Sequence, residues 1–241
     1  MHAIGKVPAM FVVAACCATT LPVSLAADPA EAPASVGMVD IRTLLADISL
    51  DMRYAGTDNF VGARIDGYEA PRCYLLRAVA EALVRVEQSL RAKQQRLHIF
   101  DCYRPRRAVA HFMRWARDLQ DQATKAAYYP ALDKSALVPD YIAEHSGHSR
   151  ADTLDLTLLQ CAADGSHCES LDMGTPYDFF DPSAHTDSAS VSQSQRAHRH
   201  ALRAAMQAQG FRNYELEWWH YSLPVADAPV QSFDLPIRAE H

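Results

Sequence analysis

Between residues 74 and 101 the chain commits to two kinds of secondary structure side by side. Leu75, Leu76, Val79, Ala82, Leu83, Val86 and Leu90 recur at three- and four-residue spacing with Arg and Glu between them. That spacing predicts a helix over residues 74–94 with one apolar face. The run Leu97-His98-Ile99-Phe100-Asp101 follows at once and reads as a buried strand ending on a carboxylate. A helix with one apolar stripe must bury it against another element, and the strand supplies one. Pro105 opens a second helix through Ala108, Phe112, Trp115 and Leu119, proline being favoured in a first turn. Residues 153–158, TLDLTL, alternate as a strand. Residues 196–209 form a third helix stopped by Gly210, and residues 218–223 a last strand. Residues 39–70 mix a short helix or strand with a turn-rich loop, and no internal repeat is visible. Helices leading and strands following predict an α+β fold: one domain, with helices packed on a central antiparallel sheet.

The first 26 residues read as an address rather than as part of that domain. Lys6 is the only early charge, and residues 7–25 are uncharged and apolar. Ser24-Leu25-Ala26 places small residues at the −3 and −1 positions of a signal-peptidase site. The run approaches the ~20 residues that a bilayer requires, so a membrane anchor is the alternative. Pro8, Pro22, the Thr19-Thr20 pair and the small-residue exit favour cleavage. Val13-Ala14-Ala15-Cys16 also resembles a lipobox, which would anchor the protein through lipid on Cys16. Residues 27–38 are a Pro/Ala linker, and residues 39–241 the folded domain. The expectation is an exported, periplasmic protein with no transmembrane segment in its mature chain.

Cysteine usage agrees with export. Beyond Cys16 and Cys17 the chain has Cys73, Cys102, Cys161 and Cys168. An even count in an exported protein suggests two disulfides. Cys161 and Cys168 bracket a short polar loop and are the natural local pair, which leaves Cys73 with Cys102. Four buried thiols are the alternative. The formal charge is −6 and no Lys/Arg cluster tracks a phosphate backbone, so nucleic acid is not an expected partner. The chain carries no signal for its oligomeric state.

Eleven histidines make a metal site worth seeking. Three clusters carry the chemistry. In SGHSRADTLDL, His148 lies in a Gly/Ser loop and Asp155 inside the alternating strand, on the face opposite its apolar neighbours. In EWWHY, Glu217 stands three residues before His220, which can place a general base beside a metal ligand. On a regular strand that odd spacing would put the two on opposite faces, so a bend or bulge is required. The adjacent Trp218 and Trp219 could wall a pocket and exclude water. In DCYRP, Arg104 sits between a strand end and a helix start, where it can stabilise a developing oxyanion or pair with Asp101. His148, Asp155 and His220 together make a nitrogen/oxygen ligand set with an open fourth position, the pattern of catalytic rather than structural zinc. No Gly-x-Ser-x-Gly elbow offers a covalent nucleophile.

These clusters, in this order and over nearly the whole mature chain, resemble the D-alanyl-D-alanine dipeptidases of the vancomycin-resistance type. That group belongs to a zinc metallopeptidase family that also contains D,D-carboxypeptidases. The matching text is MRYAGTDNFVG, CYLLRAVAEAL, DCYRP, SGHSRADTLDLTL, DMGTPYDFFD and EWWHY. The resemblance implies one Zn2+ per chain held by His148, Asp155 and His220, Glu217 as base and Arg104 as the transition-state arginine. It implies Asp178 as the carboxylate that meets the dipeptide's ammonium, and places Ser146, Tyr54 and Tyr68 around the substrate. The implied activity is zinc-dependent hydrolysis of the small dipeptide D-Ala-D-Ala in cell-wall peptide metabolism. A D,D-carboxypeptidase acting on longer muropeptides is the alternative within enzymes, and a non-catalytic zinc-dependent peptidoglycan binder the alternative outside them. Asp178 argues against the first, since a longer chain has no amine there. Glu217 and Arg104 argue against the second, since binding alone needs neither. The family usually has Gly where this chain has Ala151, which matters if that residue requires a positive φ.

Overall fold

The computed structural model describes residues 1–2, 33–225 and 231–239. The expected leader with its cleavage site, the Cys16 alternative and the linker up to residue 32 lie outside the described residues. Among the described residues no helix is long and apolar enough to cross a membrane.

The helix expected over residues 74–94 begins one turn later, as α1 (Arg77–Arg91). Tyr74, Leu75 and Leu76 instead form a strand, antiparallel to Met38–Asp40, with Tyr74 opposite Asp40. We label the strands β1 (Met38–Asp40), β2 (Ser49–Leu50) and β3 (Tyr74–Leu76). Consecutive apolar residues fit a strand buried on both sides as well as a helix. The partner strand, more than thirty residues back in the chain, decides between the two. Downstream, Val79, Ala82, Leu83, Val86 and Leu90 make the buried stripe of α1. Glu87 is buried with them, and its carboxylate accepts the backbone N–H of Leu97 at 2.8 Å while pairing with Arg91 and Arg96.

The central sheet is built on β4 (Gln95–Asp101) and β5 (Thr153–Gln160), which run antiparallel. The chain between them contains α2 (Arg106–Arg117) and a single turn, α3 (Lys125–Tyr128). After β5 come β6 (Glu169–Ser170), α4 (Gln193–Gln207), β7 (Arg212–Asn213) and β8 (His220–Ser222). The strand order is β2-β4-β5-β8-β7, with β6 paired to the far end of β5. All pairs are antiparallel except β2 with β4, which makes the sheet mixed rather than wholly antiparallel. α4 begins at a Ser192/Gln195 capping box, one turn before the expected start at residue 196.

Leu154, Leu156 and Leu158 alternate with Thr153, Asp155 and Thr157 across β5, so the acid faces away from the leucines. All six are buried, because both faces of the sheet are covered. α1 and α4 pack on each other and on β4 and β5. The β4–β5 register runs evenly to Ile99↔Leu156 and then shifts, so that Asp101 comes to face Asp155. Asp155 in turn stands opposite His220 of β8. One bulge and one strand pair thus gather three polar side chains at a single end of the sheet. Both disulfides are present: Cys73–Cys102 ties the start of β3 to the end of β4, and Cys161–Cys168 closes the loop after β5.

Candidate metal centre and substrate pocket

His148 stands on a 3-10 turn, Gly147–Arg150, whose N-cap is Ser146. A Cβ at Gly147 would fall 2.6 Å from Thr153 Oγ1, so no larger residue fits where this turn meets β5. The turn ends at Ala151, whose φ of 59° is left-handed, and that is where the sequence departs from the glycine of the resemblance. The His148 ring is held by its Nδ1–H, which donates to the carbonyl of Cys102 at 2.7 Å. A carbonyl only accepts, so the proton is on Nδ1 and the Nε2 lone pair faces Asp155.

His148 Nε2 lies 3.3 Å from Asp155 Oδ1, and His220 Nδ1 lies 3.1 Å from the same oxygen. The two histidine nitrogens are 3.4 Å apart. Neighbouring ligands on a tetrahedral ion with bonds of ~2.0–2.1 Å are separated by ~3.3–3.4 Å, so the three atoms fit one four-coordinate cation. Asp155 Oδ1 is buried and has no hydrogen-bond donor among the described residues. An anionic oxygen without a donor in a dry site is costly, and a cation would satisfy it. Burial pushes the Asp155 carboxyl up, whereas positive charge on the neighbouring imidazoles would pull it well below the ordinary carboxylate range, as a bound cation would.

Asp101 organises the floor beneath this triad. Its Oδ1 accepts from the Tyr68 hydroxyl at 2.6 Å, and its Oδ2 accepts from Arg104 Nε and Nη2 at 2.9 and 2.8 Å. Arg104 Nη2 also lies 3.5 Å from Asp155 Oδ2, and the guanidinium rests over the rings of Tyr54 and Phe112. Burial works against the Arg104 charge, but Asp101 more than compensates and the group stays cationic. The Arg–Asp pair and the pocket arginine are therefore one arrangement, since Asp101 aims the guanidinium that lines the cavity.

Glu217 precedes β8 in a turn closed by its N–H on the Tyr214 carbonyl, and the His220 N–H returns to the Glu217 carbonyl at 3.3 Å. This turn is the bend that the odd spacing requires. It brings Glu217 Oε2 to 3.4 Å from His220 Nδ1. Burial, with the nearby Asp155 and Asp178 charges, pushes the Glu217 carboxyl well above its ordinary range. Trp219 lines the cavity, whereas Trp218 turns away and donates from Nε1 to Thr175 Oγ1, so one tryptophan of the pair walls the pocket.

The cavity holds about 200 Å³ and is lined by Arg104, Asp155, Asp178, Glu217 and His220, with Tyr54, Phe60, Phe112 and Ser146 among its other walls. That is below the ~300–1,000 Å³ typical of clefts for drug-sized ligands. Asp178 is buried in a left-handed conformation, φ 59°, and accepts from the Tyr54 hydroxyl at 2.9 Å. Burial first, then the Asp155 charge, pushes its carboxyl well above the ordinary range. Tyr68, expected at the substrate, is not among the residues that line the cavity, and its hydroxyl donates to Asp101. Tyr177 was not singled out from the sequence, yet its hydroxyl lies 3.0 Å from Asp155 Oδ2 and 3.0 Å from the Tyr54 hydroxyl. Its place next to Asp178 in the sequence was the available signal.

Residues 34–237 match the family described as D-ala-D-ala dipeptidase, Peptidase_M15. The chain is 39% identical over 195 residues to a D-alanyl-D-alanine dipeptidase of Streptomyces coelicolor, covering 80% of this chain and 95% of the relative. It is 37% identical over 202 residues to the protein of that name in Enterococcus faecalis, covering 83% and 98%. For the Enterococcus faecium protein of that name the identity is 34% over 204 residues, covering 84% and 99%.

Proposed function

The chain belongs to the D-Ala-D-Ala dipeptidase family of metallopeptidases, and on that premise we propose that it hydrolyses the D-Ala-D-Ala dipeptide with one zinc ion held by His148, Asp155 and His220. The observation that carries this reading is that Asp155 and His220, with His148 Nε2 3.3 Å from the Asp155 carboxylate, share one small cavity with Glu217, Arg104 and the buried carboxyl of Asp178. When bound, zinc supplies Lewis acidity, which polarises a carbonyl oxygen and acidifies water. Glu217 takes the proton of the attacking water as its oxygen bonds to the scissile carbonyl carbon. It then passes that proton to the departing amine nitrogen as the C–N bond breaks. The raised affinity of its carboxyl for a proton suits it to hold one between those two steps. Arg104, fixed by Asp101, faces the charge that develops on the carbonyl oxygen. Asp178 and Tyr54 receive the substrate ammonium, and Ser146 supplies a polar wall of the same cavity.

A carboxylate waiting for an ammonium supports a dipeptidase over a D,D-carboxypeptidase, whose longer substrates carry no charge at that point. The apolar leader in the sequence supports an exported, periplasmic protein acting in peptidoglycan turnover or dipeptide scavenging. The test is a panel of D,D-dipeptides with purified protein. D-Ala-D-Ala should be cleaved, cleavage should stop with a chelator and return with added zinc. Zinc uptake without cleavage of any D,D-peptide would point to a binding protein instead.

A further inference from the structure

Tyr177 is not among the residues that line the cavity. It is nonetheless buried, with 3% of its surface exposed. Its ring stacks on Phe100 at 4.5 Å and meets the Trp219 ring edge-on at 5.5 Å. With the ring so packed, the hydroxyl lies 3.0 Å from Asp155 Oδ2 and 3.0 Å from the Tyr54 hydroxyl. Tyr54 continues the line to Asp178 at 2.9 Å. Four buried groups therefore form one chain from a candidate metal ligand to the candidate ammonium receptor: Asp155, Tyr177, Tyr54, Asp178.

We propose that Tyr177 is a positioning residue that holds Asp155 as a one-oxygen metal ligand and couples the metal centre to the ammonium subsite through Tyr54. The argument for the first part is the division of labour on Asp155. Oδ2 takes the Tyr177 hydroxyl and faces Arg104, whereas Oδ1 has no donor and faces both histidines. A hydrogen bond on Oδ2 fixes the carboxylate plane and presents Oδ1 alone to the ion. The argument for the second part is a count of protons. The chain has three oxygen–oxygen gaps and two phenolic hydroxyls. Whenever both carboxylates are ionised, as when an ammonium sits at Asp178, one gap goes without a proton, so the two hydroxyls cannot then satisfy both ends and each other at once. A cation arriving at Asp178 changes what that end needs from Tyr54, and the Tyr177 hydroxyl is the next to respond. Such chains act as a unit, and their coupling is measured by double-mutant cycles.

This proposal rests on the metal-centre reading above, and its test is therefore read on metal affinity rather than on turnover. Zinc affinity is measured by chelator competition on the full chain and on Tyr177→Phe, Tyr54→Phe and the double variant. Phe keeps the ring contacts, and circular dichroism of the metal-free proteins checks that the fold is retained. Tyr177→Phe should weaken zinc binding about 10–100-fold, the usual effect of losing a hydrogen bond to a metal ligand. Tyr54→Phe should weaken it less, and the double variant should match Tyr177→Phe alone, since Tyr54 reaches Asp155 only through Tyr177. A merely structural loosening would instead make the two effects add. Unchanged affinity in Tyr177→Phe, or additive losses, overturns the proposal while leaving the metal-centre reading intact. A wild-type protein that takes up no zinc overturns both.

Discussion

At the scale of single residues, the groups at the centre are oriented by named neighbours. His148 is oriented by a backbone carbonyl, Arg104 by Asp101, and Asp101 by Tyr68. The two closest roles, metal ligand and base, can therefore be separated by substitution. His148→Ala removes a nitrogen from a three-atom set and should lose metal and dipeptidase activity together. Metal analysis of the purified variant decides this, and stoichiometric zinc in it would sink the ligand assignment. Glu217→Ala leaves the triad complete, so it should keep about one zinc per chain while turnover falls ~10²–10⁴-fold, as loss of a general base typically does. Near-normal turnover in that variant would move the base elsewhere. The contrast between the two variants is what distinguishes a chemical role for Glu217 from a share in holding the ion.

At the scale of elements, the turn that carries His148 sets the most specific demand. Ala151 closes it with φ 59° and is completely buried. A left-handed conformation costs an L-residue ~1–2 kcal/mol, whereas its buried methyl contributes ~0.8 kcal/mol that glycine would forgo. Ala151→Gly should therefore change stability by no more than ~1 kcal/mol. Ala151→Val combines a β-branched side chain at positive φ with an overpacked site, and should destabilise by more than ~2 kcal/mol. Denaturant midpoints at fixed zinc concentration compare the two, and a well-tolerated valine would refute the strain argument. The resemblance made this demand visible, because the glycine usual in the family points to a positive φ where this chain has Ala151. The sequence itself made Asp155 visible, since an acid inside TLDLTL can only face away from the leucines. Glu217 and His220 were legible only conditionally: their spacing required a bend, and the Tyr214–Glu217 turn is that bend. What stayed hidden depends on distant partners. Residues 74–76 carry an apolar pattern that serves helix or strand, and β1 decides it. Tyr68 and Tyr177 are aromatic residues in loops whose hydroxyl partners, Asp101 and Asp155, lie 33 and 22 residues away. No local period reports such a contact.

At the scale of the whole molecule, the cavity sets a limit on what can enter. Loops from before α1, from between α2 and β5, and from between β6 and α4 enclose it, and it holds about 200 Å³. Asp178 is part of that enclosure, fixed by the Tyr54 hydroxyl and pushed by burial toward its neutral form. An ammonium beside it restores the charged form and forms an ion pair out of water. An unpaired ammonium would instead meet the full cost of burial. The same carboxylate rejects an N-acylated chain, which brings bulk and no charge. Asp178→Asn should therefore raise KM for D-Ala-D-Ala with a smaller change in kcat and leave zinc content unchanged, because Asp178 is not among the three residues whose donor atoms converge. The wild-type protein should hardly cleave N-acetyl-D-Ala-D-Ala. Side-by-side hydrolysis of the free and acetylated dipeptides is the measurement. Equal rates would mean that the far end of the cavity is open to longer chains, and would replace the dipeptidase reading with that of a D,D-carboxypeptidase.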